Sequence, residues 1–248
     1  MTLLNDLPLQ RLRFYVTTPY PCGYLEDRQA RSLVAVPAQL IDTPVYGELV
    51  RQGFRRSGYY TYRPHCENCR ACVPVRLRVA DFAPSRSQRR AWKRHQDIDA
   101  FIKPLAFSED HFKLYTQYQK TRHAGGSMDA DDIGQYHSFL MQSNVDSMLV
   151  EFREDDVLRM VSIVDRLSDG LSAVYAFYDS AQKNASYGIY NVLWLADWCR
   201  RLGLPYLYLG YWIGESRKMS YKADFMPLEG FRNGEWRELE NNRRNAVA

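Results

Sequence analysis

Three short runs decide the fold: residues 147–152 (SMLVEF), 158–165 (LRMVSIVD) and 172–178 (SAVYAFY). Each has strand length, carries β-branched and aromatic residues, and is bounded by polar turns at 153–156 and 168–170. Connections that short join antiparallel neighbours, so the runs spell a meander. A longer segment, 188–202, repeats Ile189, Val192, Leu193, Ala196 and Cys199 at helical spacing, and Gly203 with Pro205 ends it. Residues 206–212 then read as one further strand.

Meander, helix, strand is an α+β order, and it matches the acetyltransferase-like (GNAT) fold, in which two neighbouring strands splay and the acyl donor lies in the opening. Working outward, Thr43 as N-cap and Pro44 as first residue predict a helix ended by Gly53. Val73, Val75, Leu77 and Val79 alternate with Pro74, Arg76 and Arg78, which predicts a strand with two arginines on its second face. A basic helix is expected over 86–95, a helix capped by Ser108 up to about residue 122, and another over 131–141. Gly125-Gly126-Ser127 is the expected boundary between a smaller Cys-containing α/β region, 1–105, and a transfer domain, 106–238, followed by a frayed tail, 239–248.

No run approaches the roughly 20 apolar residues that span a bilayer, and Asp6, Pro8, Arg11 and Arg13 interrupt the start, so a cytoplasmic protein is expected. The chain has 248 residues, and its 18 tyrosines suit either a polar-tipped core or a wet, base-stacking pocket. Cys66, Cys69 and Cys72 are spaced so that successive thiolates can turn onto one ion, with Cys22 or His65 as a fourth ligand. Buried free thiols are the equal alternative, and Cys199 reads as core. The net charge of +4 hides a local excess: eight arginines and lysines against Asp81 alone between Arg70 and Arg94. Interleaved with Tyr59, Tyr60, Tyr62 and Trp92, that strip suits RNA or another polyanion, with Arg86, Arg90 and Lys93 on one side of its helix.

The chain resembles the bacterial aspartate/glutamate leucyltransferases, relatives of the arginyl-tRNA–protein transferases. The likeness runs in order through Pro21-Cys22-Gly23-Tyr24, Gly53-Phe54-Arg55-Arg56-Ser57-Gly58, Tyr62-Arg63-Pro64-His65-Cys66 and Ala71-Cys72-Val73-Pro74-Val75-Arg76. It continues through Pro84-Ser85-Arg86-Ser87-Gln88-Arg89-Arg90, Leu171-Ser172-Ala173-Val174-Tyr175 and Ser186-Tyr187-Gly188. The last blocks are Tyr208-Leu209-Gly210-Tyr211-Trp212 and Lys218-Met219-Ser220-Tyr221-Lys222.

The resemblance implies leucyl-tRNA as donor, proteins beginning with Asp or Glu as acceptors, marking of those proteins for degradation, and a GNAT-like domain without coenzyme A. Consistently, the approach to the long helix, 182–188, holds one glycine where a pyrophosphate site wants several. No cofactor is expected for the chemistry, with zinc or an iron–sulfur cluster at the cysteines as an added expectation. The expected catalytic set is Tyr175, Tyr178, Tyr211, Lys218 and Lys222, the two lysines sharing one helical face. Arg76 and Arg78 are expected to hold the acceptor carboxylate, because a guanidinium fork matches it bidentately. Ser186 and Tyr190 are expected to bind substrate, and Arg86, Arg89, Arg90 and Lys93 the tRNA. Asp165 or Asp179 is expected to hold the incoming amine. An arginyl-tRNA donor, a CoA-dependent acyltransferase and a non-catalytic RNA-binding zinc knuckle stand as alternatives.

Overall fold

A computed structural model describes residues 8–122, 132–182, 184–216 and 218–240. The expected boundary at Gly125-Gly126-Ser127, the start of the expected helix at Asp131 and most of the tail lie outside them.

The chain opens with β1 (Arg13–Val16), a short ribbon of β2 (Tyr20–Pro21) and β3 (Gln29–Ala30), then β4 (Ser32–Val36), α1 (Thr43–Arg51), β5 (Arg55–Ser57) and β6 (Tyr60–Pro64). The strands β1, β4, β6 and β5 form a four-stranded antiparallel sheet in that order. These strands went unread in the sequence, where only the helix was expected. Asp42, not Thr43, caps α1: its carboxylate accepts from the Val45 amide at 3.0 Å. The Thr43 hydroxyl instead accepts from the Asp146 amide at 2.7 Å, pinning the helix to the far half of the chain. Val45, Tyr46, Leu49 and Val50 form the apolar face of α1 and pack with Ile41, Phe54, Leu167 and Tyr208.

The rest of the chain builds a mixed eight-stranded sheet from β7 (Val73–Arg78), α2 (Arg86–Arg94), β8 (Asp99–Pro104), α3 (Glu109–Arg122), α4 (Ile133–Tyr136), β9 (Ser147–Glu154), β10 (Val157–Arg166), β11 (Gly170–Tyr178), α5 (Tyr187–Arg201), β12 (Tyr206–Trp212), β13 (Leu228–Arg232) and β14 (Glu235–Glu238). Its strand order is β14-β13-β7-β12-β11-β10-β9-β8, so strands from both 1–105 and 106–238 enter it. The expected meander is β9–β10–β11, antiparallel throughout. The helix expected over 131–141 is split: α4 gives way to a wider π-helical turn, His137–Met141. The α+β class holds, with both parallel and antiparallel pairings in the large sheet.

One face of this sheet packs on α5, where Val192, Leu193, Leu195, Ala196 and Cys199 are buried among Val73, Val75, Leu77, Leu171 and Leu207. The other face is closed by α3 and α4 through Leu114, Tyr115, Tyr136 and Phe177. Burial of this aliphatic and aromatic surface drives the layering. A buried ion pair ties the two sheets: Arg56 of β5 donates to both carboxylate oxygens of Asp165 on β10 at 2.8 and 2.6 Å. The Ser147 hydroxyl donates to the same carboxylate at 2.6 Å.

Candidate active site

β11 and β12 run parallel for three rungs only: Gly170 opposite Tyr206, Leu171 opposite Leu207, and Ser172 opposite Tyr208. Beyond that point each strand carries an extra residue. On β11, Val174 has no partner on β10, since Ala173 faces Val164 and Tyr175 faces Ile163. On β12, Leu209 is skipped by β7, since Tyr208 faces Arg76 and Gly210 faces Val75. A bulge bends its strand and increases local twist, so two bulges just past the last shared rung separate the strands.

Arg55 enters this opening from the edge of the N-terminal sheet. Its Nη2 donates to the Val174 carbonyl at 2.8 Å and to that of Ala173 at 3.3 Å, the backbone oxygens exposed by the bulge. Its guanidinium faces the Tyr211 ring, 5.7 Å from the centroid. Gly210 makes room for it: a Cβ there would fall 2.4 Å from Nη1, and φ is +71°, a conformation that favours glycine. Burial pushes the Tyr24 phenol up to about 12, with Tyr62 adding to the rise and the Arg55 charge opposing it. The loop carrying Tyr24 is tied across by Arg28, which pairs with Glu215 beyond β12 at 3.1 Å.

Lys222 lies in the short 3₁₀ turn Ser220–Asp224 and is 6% exposed. Its Nζ donates to the Tyr211 carbonyl at 2.7 Å. Burial, then the charge of Arg55, hold its pKa well below the ordinary lysine value. Neither Lys222 nor Arg55 has a carboxylate of the described residues within ion-pair distance. Lys218 precedes the turn and is exposed, so the two lysines do not share a helical face.

The expected tyrosines divide. Tyr178 accepts from Arg122 at 3.2 Å and packs edge-on against Tyr118, 4.8 Å between centroids. Tyr175 sits on the α3 side beside Phe139 and Tyr115, and receives Gln119 at 3.4 Å. Tyr211 is 1% exposed and spends its hydroxyl on the Gly53 carbonyl at 3.1 Å. Burial raises the phenols of Tyr175 and Tyr211, and lifts Tyr221 to about 12, so all three stay protonated at neutral pH.

Arg76 and Arg78 lie outside the opening. Arg76 pairs with Glu229 at 2.7 Å and is stacked between Tyr206 and Trp236, 3.6 and 4.4 Å from their centroids. Arg78 reaches Asp81 at 2.9 Å, Glu238 at 3.0 Å and Glu229 at 3.4 Å. Asp165 is consumed by Arg56, and Asp179 by Arg159 at 3.1 Å and the Ala181 amide at 3.0 Å. Ser186 adopts a left-handed conformation, φ +61°, at the start of α5. Tyr190 is buried on α5 against Trp92 of α2, centroids 5.6 Å apart.

Helix α2 is capped by a reciprocal pair of bonds between Ser85 and Gln88, and turns Gln88 and Ala91 inward. Arg86, Arg89, Arg90 and Lys93 are all exposed, and none has a carboxylate partner among the described residues. The helix presents an uncompensated basic face, as the sequence reading expects.

The metal expectation is overturned. Among the described residues no three His, Cys, Asp or Glu side chains converge as ligands. The thiols are engaged separately: Cys66 donates to the Arg31 carbonyl at 3.8 Å, and Cys69 accepts from Arg28 at 3.6 Å. Burial, then the neighbouring Cys22, Cys66 and Cys69, push the Cys72 thiol up to about 12. Cys199 is buried as expected and donates to the Tyr206 carbonyl.

Residues 20–90 match the family model described as arginine-tRNA-protein transferase, N terminus, and residues 110–232 the one described as its C terminus. An aspartate/glutamate leucyltransferase of Methylobacillus flagellatus is 59% identical, covering 98% of this chain and 98% of its own. The chain belongs to the aspartate/glutamate leucyltransferase family. A member from Nitrosospira multiformis is 59% identical over 97% of this chain and 96% of its own, and one from Marinobacter nauticus 45% identical over 93% and 98%. Among solved structures, L-PGS from Bacillus licheniformis matches with a TM-score of 0.45 at 10% identity, covering 63% of this chain and 52% of that one. At that level the match assigns nothing. No helix of the described residues is long and apolar enough to cross a membrane.

Sequence reasoning missed Arg55 as a residue of the opening. The available signal was period two: in a strand, Arg55 and Arg56 point to opposite faces, and only one of them can meet Asp165.

Proposed function

We propose that this protein transfers leucine from leucyl-tRNA to the N-terminal Asp or Glu of acceptor proteins, marking them for degradation. In this reading the ester lies in the opening between β11 and β12 of an acetyltransferase-like sheet. The observation that carries it is the pair of bulges at Val174 and Leu209, which opens the sheet beside Arg55 and Tyr211. Membership of the family over nearly the full chain supports both donor and acceptor. A reaction that consumes charged tRNA belongs in the cytoplasm.

The chemistry is aminolysis of an activated ester. The acceptor's α-amine attacks the leucyl carbonyl carbon, a C–N bond forms, the C–O bond to the ribose breaks, and the amine's proton leaves with the ribose hydroxyl. An α-amine with a pKa near about 7.7–8.0 is partly neutral at cytosolic pH, so positioning supplies much of the rate. A phenol hydroxyl placed beside the ester serves as donor to the tetrahedral oxyanion. Tyr178 at the opening fits that task better than Tyr211, whose hydroxyl is already bonded to Gly53. Lys222 fixes the Tyr211 carbonyl and with it the wall of the opening. Exposed Lys218, with Ser186 and the basic face of α2, is suited to meeting the tRNA.

The test is purified protein with leucyl-tRNA or arginyl-tRNA and peptides beginning with Asp, Glu or Ala. Leucine should pass to the Asp and Glu peptides only. Transfer from arginyl-tRNA alone would move the protein to the arginyl branch, and transfer blind to the first residue would end the acidic-acceptor reading.

A further inference from the structure

Arg55 is a half-buried cation that its own protein does not neutralise. Nη2 is anchored on the carbonyls of Ala173 and Val174, while Nε and Nη1 have no acceptor among the described residues. A guanidinium carries five N–H donors, so three remain to be satisfied. Its surroundings are aromatic, Tyr211 above all, and the neighbouring Lys222 offers no negative charge. Taking a charge out of water without a counter-charge is costly, and a site built that way binds an anion.

We propose that Arg55 receives the side-chain carboxylate of the acceptor's first residue and so selects Asp and Glu. The assignment rests on the leucyl-transfer reading of the same opening. Three features favour a carboxylate over a tRNA phosphate. The guanidinium is wedged at the bulges, where the acceptor's α-amine must meet the ester. The exposed, unpaired basic face for phosphates lies elsewhere, on α2. Arg76 and Arg78, the guanidiniums that the sequence assigns to this carboxylate, are already paired with Glu229, Asp81 and Glu238. Asn and Gln lack the ionised carboxylate, so they leave the guanidinium unpaired and are rejected.

The experiment compares wild type, Arg55→Gln and Arg55→Lys on peptides beginning with Asp, Asn, Glu and Gln, reading kcat/KM for each peptide, KM for leucyl-tRNA, and Tm. Arg55→Gln should lower kcat/KM for the Asp and Glu peptides by about 100-fold or more, mainly through peptide KM. The Asn and Gln values should barely move, so discrimination collapses while KM for leucyl-tRNA stays at the wild-type value. Equal losses on Asp and Asn peptides would reduce Arg55 to a wedge between the strands and overturn the assignment. A rise in KM for leucyl-tRNA with discrimination intact would also overturn it, in favour of phosphate. If Arg55→Gln does not fold, Arg55→Lys decides, because it keeps the charge and loses the fork. A reduced Asp-to-Asn ratio supports the assignment, and a wild-type ratio overturns it. Wild type inert towards all four peptides would sink the transfer reading itself, and this assignment with it.

Discussion

The Lys222 ammonium donates to the carbonyl oxygen of Tyr211 at 2.7 Å, and no carboxylate of the described residues stands close enough to pair with it. A lysine buried in this way carries its charge against the solvent and against Arg55, and the consequence is measurable.

With its pKa held well below normal, Lys222 binds a proton less tightly in the folded chain than in the unfolded one. The penalty is full below the folded pKa and disappears as pH rises towards the unfolded value near about 10.4. Wild type should therefore gain stability relative to Lys222→Met as pH rises through the folded value towards about 10 in urea unfolding. Parallel stability curves would show that Lys222 is not strained by burial.

Breaking the pair between the sheets should be among the most damaging single changes. Asp165→Ala leaves Arg56 charged and buried, at a cost of about 3–5 kcal/mol. Chemical denaturation measures it directly. A loss under about 1 kcal/mol would mean that water reaches Arg56.

Replacing Arg86, Arg90 and Lys93 with Ala should weaken tRNA binding without lowering Tm, because all three are exposed on α2. The slope of log K against log salt should flatten by about 2–3, from roughly 0.7–0.9 per lost phosphate contact. An unchanged slope would place the tRNA on another surface.

Glu151 supplies an acid-side test. Burial raises its pKa, but bonds from Lys103, Arg153 and His111 outweigh that and hold it at about 2. Its contribution is complete above the unfolded value near about 4.3 and fades as pH falls through the folded value. Glu151→Gln should lower stability at about pH 6 and make it less sensitive to acid between about pH 5 and about pH 2, followed by circular dichroism.

The meander, α2, α3, α5 and β12 were legible because each carries its own periodicity and its own stop signal, such as Gly203 and Pro205 after α5. The N-terminal sheet was not. β1 is exposed along its length and β5 has three residues, so neither shows an apolar alternation. The side chains expected to bind the acceptor were misplaced. Arg76 and Arg78 read as free forks because their carboxylates, Glu229 and Glu238, come about 150 residues later in the chain. Arg55 looked ordinary for the converse reason: the partner it lacks is visible only once the neighbours are assembled. The cysteines misled through spacing, since Arg28 and the Arg31 carbonyl, distant in sequence, engage two of the thiols.

β7 lies between β12 and β13, and the chain leaves β7 to form α2, which packs on α5 through Trp92 against Tyr190 and His95 stacked on Tyr187 at 4.8 Å. The basic helix and the opened strands are thus two marks on one rigid gauge. The basic face of α2 is held at a fixed distance from the bulges, by sheet and helix and not by a hinge. Loosening the Trp92–Tyr190 and His95–Tyr187 contacts would leave both marks intact and spoil the measurement.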